Sequence, residues 1–438
     1  MNIALQEKFE NRSALVAVIG LGYVGLPLMK AFCDAGFPVL GFDTDAKKIE
    51  MLRQGQNYLL HLGERFVQSM LASDRFDATA DFERLAEADV ILVCVPTPLD
   101  RHLQPDLSFV EQTARDIART LRPGQLIVLE STTYPGTTRD LLLPTLEAGG
   151  QACGRDFYLA YSPEREDPGT AGHSMSTIPK LVGGIDESST KLATALYAHA
   201  IKKVIAVSSS EIAESAKLLE NIYRAVNIAL VNEMKVLLTH MNIDVWQVVQ
   251  AAATKPFGFA PFYPGPGLGG HCIPIDPYYL SWKAREAGLP TRFIELAGEV
   301  NRAMPDYVIQ RTILALNEQG RALHGAEVLV LGLAYKPDID DVRESPSFEL
   351  IEKLRALGAD VSYNDPHVPS THKMRHHDLQ MTSVQLSSAT VARYDCVLIA
   401  TNHSAYDWQM IADHAKLIVD TRGAMRQVSG RKDHIATA

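Results

Sequence analysis

Residues 15–25 read LVAVIGLGYVG, an apolar run that leads directly into three glycines. The run itself, residues 15–19, predicts a buried strand, and the pattern after the last glycine predicts a helix. A second predicted strand covers residues 38–42 and ends at Asp43, 18 residues past the last glycine. A strand, a glycine turn, a helix, a strand and an acid in this order indicate a dinucleotide-binding unit, although the glycines alone would be a weak signal.

The glycine turn predicts a site for the pyrophosphate of a dinucleotide, because glycines allow a tight turn and a close approach to the helix N-terminus. The predicted cofactor-binding residues of this turn are Gly20, Gly22, Tyr23, Val24 and Gly25. Asp43 would accept hydrogen bonds from the adenosine ribose and repel a 2′-phosphate, so we expect NAD rather than NADP. The alternative is a tight strand–helix turn that binds no ligand.

The composition is that of a globular protein, with 46% apolar and 21% charged residues among 438. A chain of this length predicts two or three domains. The net charge of −10 and the lack of a basic run argue against nucleic-acid binding. No apolar run reaches the roughly 18 residues that span a bilayer, and the N-terminus lacks the pattern of a secretion signal. Five scattered cysteines without a CxxC pair indicate reduced thiols in the cytosol rather than disulfides or a zinc site.

Strands and helices continue to alternate up to about residue 207, which predicts an α/β domain with a parallel, doubly wound sheet. Ligands of such sheets bind outside the carboxyl ends of the strands. Three predicted strand ends carry the polar segments CVPTP (94–98), EST (130–132) and SPER (162–165). The side chains expected at the cleft are Pro96, Thr97, Thr132, Glu164 and Arg165. Ordinary turn chemistry is the alternative, and it suits the prolines better than the acid.

A long helix is predicted next, since Ser208 to Glu211 form a capping-box pattern and the helical pattern continues to about residue 240. Such a helix is about 45 Å long, more than one domain needs, so we expect a spine between domains and a contact in a homodimer. Lys217 and Asn221 lie four residues apart and hence on one face, where an ammonium and an amide can polarise a carbonyl or alkoxide oxygen. The alternative is a solvated lysine on a polar face.

The cysteine loop, residues 264–280 (PGPGLGGHCIPIDPYYL), places Cys272 after four glycines and before Pro274 and Asp276. Glycines allow a ligand to approach closely, and prolines fix the path of the chain. A cysteine that only packs in a core needs neither, so we interpret Cys272 as a covalent nucleophile. A packing cysteine is the alternative.

Residues 327–366 repeat the strand–loop–helix–strand order, which predicts a second Rossmann-like domain. Its first turn, Gly332-Leu-Ala334, lacks the dinucleotide fingerprint, so we expect it to bind a different nucleotide. The basic residues expected to bind that nucleotide are Lys336, Arg343 and Arg422. Upstream, Pro305 is expected to interrupt a helix over residues 292–317, and the polar tail after Gly423 is expected to be loose.

The motifs GLGYVGLP, CVPTP, EST, SPER, GGHCIPIDP and KPDIDDVRESP, with the Lys217/Asn221 helix, together resemble the UDP-glucose/GDP-mannose dehydrogenase family over residues 16–423. The resemblance implies two Rossmann-like domains joined by a long central helix and a helical domain. The implied domains are residues 1–207 for NAD binding, 208–320 for the central helices with the cysteine loop, and 321–438 for UDP-sugar binding. It also implies that two NAD⁺ oxidise the C6 alcohol of a nucleotide-linked hexose to a carboxylate.

The resemblance assigns roles by position, with Cys272 as the nucleophile. The implied catalytic residues are Cys272, Lys217, Asn221, Asp276, Thr132 and Glu164. The implied cofactor contacts beyond the glycine turn are Asp43, Pro96, Thr97, Thr132 and Arg343. The implied substrate contacts are Glu164, Arg165, Lys217, Asn221, Gly269, Lys336 and Arg422. No metal is expected, because no spacing of His, Asp and Glu supports one, and we interpret His376-His377 as a solvated loop pair.

Substrate identity follows only from the resemblance, since SPERxxPG with GGHCIPxDP is similar to the bacterial branch that acts on UDP-N-acetylhexosamines. UDP-N-acetylglucosamine is the first expectation, followed by UDP-N-acetylgalactosamine, UDP-N-acetylmannosamine and UDP-glucose, and the product is expected to be a precursor of surface polysaccharide. Two alternatives remain. A two-electron dehydrogenase of the β-hydroxyacid type needs no cysteine, and a nucleotide-sugar sensor needs no catalysis.

Overall fold

The computed structural model describes residues 3–59, 62–63, 65–100, 102–165, 177–270, 273–374 and 377–438. The chain folds into two units, the first formed by Met1–Glu220 with Tyr278–Pro290 and the second by Asn221–Pro277 with Thr291–Ala438. Each unit contains one β-sheet. Within the described ranges, no helix combines the length and the hydropathy that crossing a membrane requires.

The elements are numbered in chain order. The strands are β1 (Val16–Ile19), β2 (Val39–Phe42), β3 (Phe76–Thr79), β4 (Val90–Val93), β5 (Leu126–Leu129), β6 (Tyr158–Tyr161), β7 (Lys180–Gly184), β8 (Val204–Ala206), β9 (Glu327–Leu331), β10 (Asp360–Asn364), β11 (Cys396–Ile399), β12 (Ile418–Asp420) and β13 (Ile435–Thr437). The helices are α1 (Ile3–Glu10), α2 (Gly25–Asp34), α3 (Ala46–Arg53), α4 (Arg65–Leu71), α5 (Ser108–Thr120), α6 (Leu143–Glu147), α7 (Glu187–Tyr197), α8 (Ser210–His240), α9 (Val245–Ala253), α10 (Asp276–Glu286), α11 (Arg292–Glu318), α12 (Pro346–Ala356), α13 (Ser388–Arg393) and α14 (Trp408–His414).

The first unit carries an eight-stranded sheet in the order β3-β2-β1-β4-β5-β6-β7-β8. Its strands pair in parallel except for β6 and β7, where Tyr161 stands opposite Gly183 in an antiparallel register. The order reverses between β1 and β4, and this switch point is where such sheets bind ligands at their carboxyl edge. The predicted doubly wound α/β fold is confirmed, with the β6/β7 pair as a departure from the expected parallel arrangement.

The central strands of this sheet are buried along their whole length. They are β1, β4, β5 and β6. Strands that are covered on both faces read as continuous apolar runs, and for that reason they could be recognised in the sequence. Helices α2 and α7 meet in the same core, where the rings of Phe32 and Tyr197 lie 5.8 Å apart. Each fully buried large apolar side chain contributes about 1.5–3 kcal/mol.

The second unit carries a five-stranded parallel sheet in the order β10-β9-β11-β12-β13, as the predicted second Rossmann-like domain requires. The expectation of a loose tail after Gly423 is wrong, because strand β13 pairs with β12 and Ala438 N donates to Asp420 O at 3.0 Å. A strand of three residues at the edge of a sheet is too short to produce a periodic pattern.

Helix α11 runs without a break through Pro305, so the expected interruption there is wrong. Proline removes one backbone hydrogen bond and crowds the preceding turn, which disfavours an interior position. However, the helix has buried side chains on both sides of the proline, Met304 before it and Val308 after it. Tertiary packing supplies most helical stability in proteins and outweighs the local preference of the proline.

Helix α8 holds the start of the cysteine loop through one fully buried side chain, Asn232. Its amide oxygen accepts a hydrogen bond from Gly265 N at 3.0 Å, and its amide nitrogen donates to Oδ1 of Asn301 at 2.9 Å. Asn301 in turn donates to Ala225 O at 3.0 Å. Two turns of α8 are thus tied to helix α11, and one of them is also tied to the loop.

Replacing Asn232 by Ala should lower the free energy of unfolding by about 2–4 kcal/mol, because it leaves Gly265 N and Asn301 Oδ1 buried without partners. Urea denaturation followed by tryptophan fluorescence measures this. The matched control is Asn227→Ala, since Asn227 lies on the same helix and donates to Tyr223 O near the surface. The control should change the free energy by less than about 1 kcal/mol, and equal effects would contradict the buried contact.

Candidate active site

The glycine turn after β1 has the geometry that a pyrophosphate site requires. Gly20 has a φ of +90°, which other residues rarely adopt. A Cβ at Gly25 would collide with Gly20 O, whereas a Cβ at Gly22 would meet no atom within 4 Å. The turn is therefore closely packed beneath the helix and open at Gly22, and this arrangement fits NAD. Of the other predicted turn residues, Val24 directly precedes α2 and Tyr23 packs on the core.

Asp43 follows the carboxyl end of β2 and also braces the glycine turn. Its Oδ2 accepts a hydrogen bond from Leu21 N at 3.1 Å and lies 3.3 Å from Lys48 Nζ, while Oδ1 accepts from Asp45 N at 2.9 Å. Tyr58 donates its hydroxyl to Leu21 O, and burial together with the charge of Asp43 raises the pKa of Tyr58. The tyrosine therefore remains a donor. No spacing in the sequence indicates it, because it comes from a separate segment.

Two strand ends of the first sheet are tied together at its carboxyl edge. Ser131 Oγ, which follows β5, donates to Val95 O, which follows β4, at 2.7 Å. Next to these residues Thr97 is buried, Thr132 is half-buried and Pro96 is exposed. The segments CVPTP and EST thus meet where a ligand of the sheet would lie. Contact between these residues and the cofactor stays a prediction.

Glu164 belongs to a buried charge network that the sequence pattern did not indicate. Lys180 Nζ, on β7, lies 2.5 Å from Glu130 and 3.4 Å from Glu164. Glu130 also accepts a hydrogen bond from the hydroxyl of Tyr197. Burial alone would lower the pKa of Lys180, but the two carboxylates raise it. The lysine therefore stays charged and holds Glu164 beyond the end of β6.

Arg165 forms an ion pair and a hydrogen bond with other residues of the protein. Its guanidinium pairs with Glu220 on α8 at 2.6 Å and donates to Pro179 O at 2.7 Å. Its backbone N donates to Oε1 of Glu164 at 2.7 Å. These contacts fix the segment that carries Glu164, and a direct contact of Arg165 with substrate stays a prediction.

Glu214, one turn before Lys217 on α8, is a fully buried carboxylate that the sequence analysis missed. It accepts hydrogen bonds from Gly136 N at 2.6 Å and from Thr138 N and Oγ1 at 3.0 and 2.7 Å. The turn that follows Thr132 is thereby held against α8. Lys217 itself is 6% exposed and forms no hydrogen bond or ion pair with any residue that the structure describes. Its ammonium is therefore available to a ligand.

The later part of the cysteine loop is tied to α8 as well. Nδ2 of Asn221 donates to Oδ2 of Asp276 at 2.5 Å, and both side chains are buried. This contact brings together two of the predicted catalytic residues. Cys272 lies outside the described residues, so its role as nucleophile stays a prediction.

The glycines of the cysteine loop pack closely on residues that follow β9. Gly270 N donates to Arg343 O at 3.1 Å, and a Cβ at Gly269 would meet the side chain of Tyr335 at 2.5 Å. Arg343 pairs with Asp341, with Nη2 and Oδ2 2.6 Å apart. Gly269 is therefore required by packing within this unit. A role for Gly269 in substrate binding, and the reach of Arg343 to the cofactor, stay predictions.

Arg422 lies against the start of the cysteine loop. Its Nε donates to Ala400 O at 2.8 Å, and a Cβ at Gly265 would collide with its Nη1. Burial lowers the pKa of Arg422 to about 10, so its guanidinium remains charged at neutral pH. Lys336, the other predicted cation of the nucleotide site, is half-buried in the loop that follows β9. Both assignments to the substrate stay predictions.

The first turn of the second sheet is closed to a dinucleotide. Gly332 has a φ of +87°, and Asp365 follows β10 as Asp43 follows β2. The carboxylate of Asp365 is fully buried, and its Oδ2 accepts from Leu333 N at 2.7 Å and from Ala334 N at 2.9 Å. The amides that would bind a pyrophosphate are already used, which agrees with the missing fingerprint.

Among the described side chains, one group has potential metal-ligand atoms within 4.8 Å of one another, formed by Asp338, His367 and His403. Nδ1 of His403 accepts from Asp338 N at 3.0 Å, and its Nε2 lies 3.0 Å from Asp365. Both ring nitrogens of His403 are therefore used, and the group offers an incomplete ligand set. That no metal takes part stays a prediction.

The sequence matches three successive domains of one family. Residues 14–201 match the NAD binding domain of the UDP-glucose/GDP-mannose dehydrogenase family, residues 211–303 match its central domain, and residues 329–427 match its UDP binding domain. Together the three matches cover most of the chain.

Relatives align over nearly the full length. The UDP-N-acetyl-D-glucosamine 6-dehydrogenase of Pseudomonas aeruginosa is 36% identical over 393 residues, which are 89% of this chain and 91% of that protein. The NDP-N-acetyl-D-galactosaminuronic acid dehydrogenase of Ralstonia nicotianae is 31% identical over 93% of this chain and 95% of that protein. The structure of the UDP-D-ManNAc dehydrogenase from Pyrococcus horikoshii matches with a TM-score of 0.86 at 32% identity, over 97% of this chain and 98% of that one.

The glycine turn, the acid after β2 and the matched NAD binding domain agree, so the predicted cofactor is confirmed. The predicted enzyme class is confirmed as well, because the matched family and the relatives are dehydrogenases. This chain is an NAD-dependent oxidoreductase with a UDP binding domain, and it belongs to the UDP-glucose/GDP-mannose dehydrogenase family.

Proposed function

We propose that this protein oxidises the C6 hydroxyl of a UDP-N-acetylhexosamine, with UDP-N-acetylglucosamine as the first candidate, to the uronic acid. The reaction removes four electrons and uses two NAD⁺ and one water per sugar. The observation that carries the proposal is the buried hydrogen bond between Asn221 and Asp276, which joins two of the predicted catalytic residues.

Lys217 and Asn221 are assigned to the oxyanion that develops on the sugar oxygen. Both side chains are buried, and the ammonium of Lys217 has no partner among the described residues. A preorganised donor in such a site contributes about 3–4 kcal/mol to stabilising the transition state. When bound, NAD⁺ accepts a hydride from C6 in each of the two oxidations.

Cys272 is assigned to the second oxidation. The aldehyde has no hydride ready to leave until a nucleophile adds, and the thiolate of Cys272 adds to C6 to form a thiohemiacetal. Loss of the second hydride leaves a thioester. Water then cleaves the bond between carbon and sulfur, which gives the carboxylate and restores the thiol. Asp276, whose Oδ2 accepts from Asn221, is assigned to proton transfer in these steps.

Glu164 and Thr132 are assigned to the attacking water and to the wall of the sugar pocket. The ammonium of Lys180 lies 3.4 Å from Glu164 and fixes its carboxylate. Thr132 follows Ser131, whose hydroxyl ties this strand end to the next one. A side chain that acts in catalysis needs such support, because small errors of position reduce the rate strongly.

The nucleotide of the substrate is assigned to the second unit, where residues 329–427 match a UDP binding domain. Arg422 is charged at neutral pH and lies against Gly265, which supports a contact with the diphosphate. Lys336 is assigned to the same diphosphate. An N-acetylhexosamine is supported by the names of the three relatives, which share the N-acetyl group and differ in the configuration at C2 or C4.

We also propose that the protein forms a homodimer in the cytosol, where its product serves the synthesis of surface polysaccharide. On α8 and just beyond it, the side chains of Tyr223, Leu230, Leu237 and Met241 are exposed. They follow one another at intervals of seven, seven and four residues and so form one apolar stripe. A stripe on a single helix can pair with its own copy about a two-fold axis.

Oxidation of UDP-N-acetylglucosamine should release two NADH per sugar consumed, because the thioester route removes two hydrides. Absorbance at the NADH band, combined with chromatography of the sugar nucleotides, measures the ratio. A ratio near one would rule out the thioester mechanism and leave the two-electron alternative. In a panel of UDP-N-acetylglucosamine, UDP-N-acetylgalactosamine, UDP-N-acetylmannosamine and UDP-glucose, the first should show the highest kcat/KM.

Cys272→Ser should abolish acid formation, by a factor on the order of 10³ or more, because a serine hydroxyl is a weak nucleophile without a base. Binding of NAD, measured by fluorescence titration, should be unchanged. Cys153→Ser is the matched control, since that thiol lies 3.7 Å from Asp186 and Cys153 precedes β6, whereas Glu164 follows the carboxyl end of that strand. Acid formation by Cys272→Ser at the rate of this control would contradict the assigned role.

Asp43→Asn should weaken the preference for NAD⁺ over NADP⁺ by about tenfold or more, a change of roughly 1.4 kcal/mol. The substitution removes the charge that repels a 2′-phosphate and leaves Lys48, now 3.3 Å from the carboxylate, to pair with it. The ratio of kcat/KM for the two cofactors measures the preference. Asp45→Asn, which keeps a residue suited to cap α3, should leave that ratio unchanged.

A further inference from the structure

Lys235 is a fully buried lysine on α8. Its exposed fraction is 0%, and its Nζ forms no hydrogen bond with any described residue. The amine lies over two rings, Trp246 on α9 at 5.8 Å and Tyr307 on α11 at 5.9 Å. These rings favour an ammonium by about 0.5–2 kcal/mol, but they do not replace the hydrogen bonds that it loses on burial. An ammonium without acceptors is costly to bury, whereas an uncharged amine is far less so.

Three charged groups act on Lys235. Arg422, just after β12, and Arg311 on α11 disfavour an ammonium there, whereas Asp420 at the end of β12 favours one. The two oxygens of Asp420 already accept from Arg422 N and Met425 N, each at 2.9 Å, and burial raises the pKa of this carboxyl. Asp420 therefore caps a turn, and it forms no hydrogen bond with the Nζ of Lys235. Burial, followed by the charge of Arg422, lowers the pKa of Lys235 to about 7.

We propose that Lys235 is an uncharged amine in the free protein and that it takes up one proton when the diphosphate of a UDP-sugar binds against Arg422. This inference rests on the proposed function, which assigns Arg422 to the nucleotide. Negative charge at the guanidinium cancels the repulsion that Arg422 exerts on an ammonium at Lys235, and charges interact strongly in a buried environment.

A cavity lies beside the residues that surround Lys235. Trp246, Arg311 and Asp420, which surround Lys235, also line a cavity of about 800 Å³. Water in that cavity can deliver the proton, and the uptake makes or breaks no other covalent bond. Affinity for a UDP-sugar should therefore fall with rising pH, by up to about tenfold per pH unit where one proton is taken up.

Calorimetric titration tests the uptake directly. The protein without NAD is titrated with UDP-N-acetylglucosamine and with UDP-glucose in buffers of different ionisation enthalpy, and the slope of the observed enthalpy gives the number of protons. These ligands share the UDP diester, whose phosphates do not titrate near neutral pH. At about pH 8 the uptake should approach one proton. At about pH 6 it should be near zero, because Lys235 is then charged in both states.

Variants of Lys235 test whether this residue takes up the proton. Lys235→Met and Lys235→Arg should bind without uptake at either pH, since methionine does not titrate and arginine is always charged. Lys353→Met is the matched control, because it removes a half-buried lysine that pairs with Asp306, and it should keep the uptake. Uptake in Lys235→Met equal to that of the wild type, or wild-type binding without uptake at about pH 8, would overturn the proposal. If a variant fails to fold, proton uptake at the two pH values can still be compared with the wild type alone.

Thermal unfolding in the absence of any ligand reports the charge state of Lys235. The unfolded lysine has a pKa of about 10.4, so between about pH 7 and pH 10 the unfolded chain binds more protons and wild-type stability rises with pH. The excess in Tm of Lys235→Met over the wild type should be largest at or below about pH 7 and should shrink as the pH rises. An excess that is constant with pH would overturn the proposed uncharged amine. Proton-coupled binding without turnover would contradict the proposed function alone.

Discussion

The buried hydrogen bond from Asn221 to Asp276 is the contact on which the arrangement of the proposed site depends. Together with the bond between Asn232 and Gly265, it holds the cysteine loop at two points of α8 that are about 16 Å apart along the helix. A buried amide–carboxylate bond is strong and costly to leave unmade. Folding therefore fixes Gly265 and Asp276, and the conformational entropy of these two residues need not be lost again in each turnover.

Buried polar contacts also fix the chain at the carboxyl edge of the first sheet, where other side chains form them. Ser131, Lys180 and Glu214 are buried polar residues outside the proposed chemistry, and each fixes a segment that carries a proposed site residue. Lys180 holds Glu164, and Glu214 holds the turn after Thr132. Because a buried polar group without a partner is unfavourable, these contacts specify one position for each strand end.

The sequence predicted the features that have local signals. Fully buried strands appear as apolar runs, the glycine turn has a fixed spacing, and the polar strand ends could be placed at one edge of the sheet. Contacts between distant segments could not be predicted, such as that of Lys180 with Glu130, 50 residues away. Lys235 gave no signal because a lysine in a helical pattern usually lies in solvent. The predicted interruption of the helix at Pro305 was wrong, because burial of the helix around the proline outweighs its local preference.

The central claim is that Cys272 forms a bond with C6 of the sugar. The direct measurement is to quench the wild-type enzyme in acid during turnover of UDP-N-acetylglucosamine with NAD⁺ and to analyse the peptide that contains Cys272 by mass spectrometry. We expect the mass of a uronyl group joined to the sulfur of Cys272. Formation of the acid with the adduct on another residue, or with every cysteine unmodified throughout the time course, would contradict the claim.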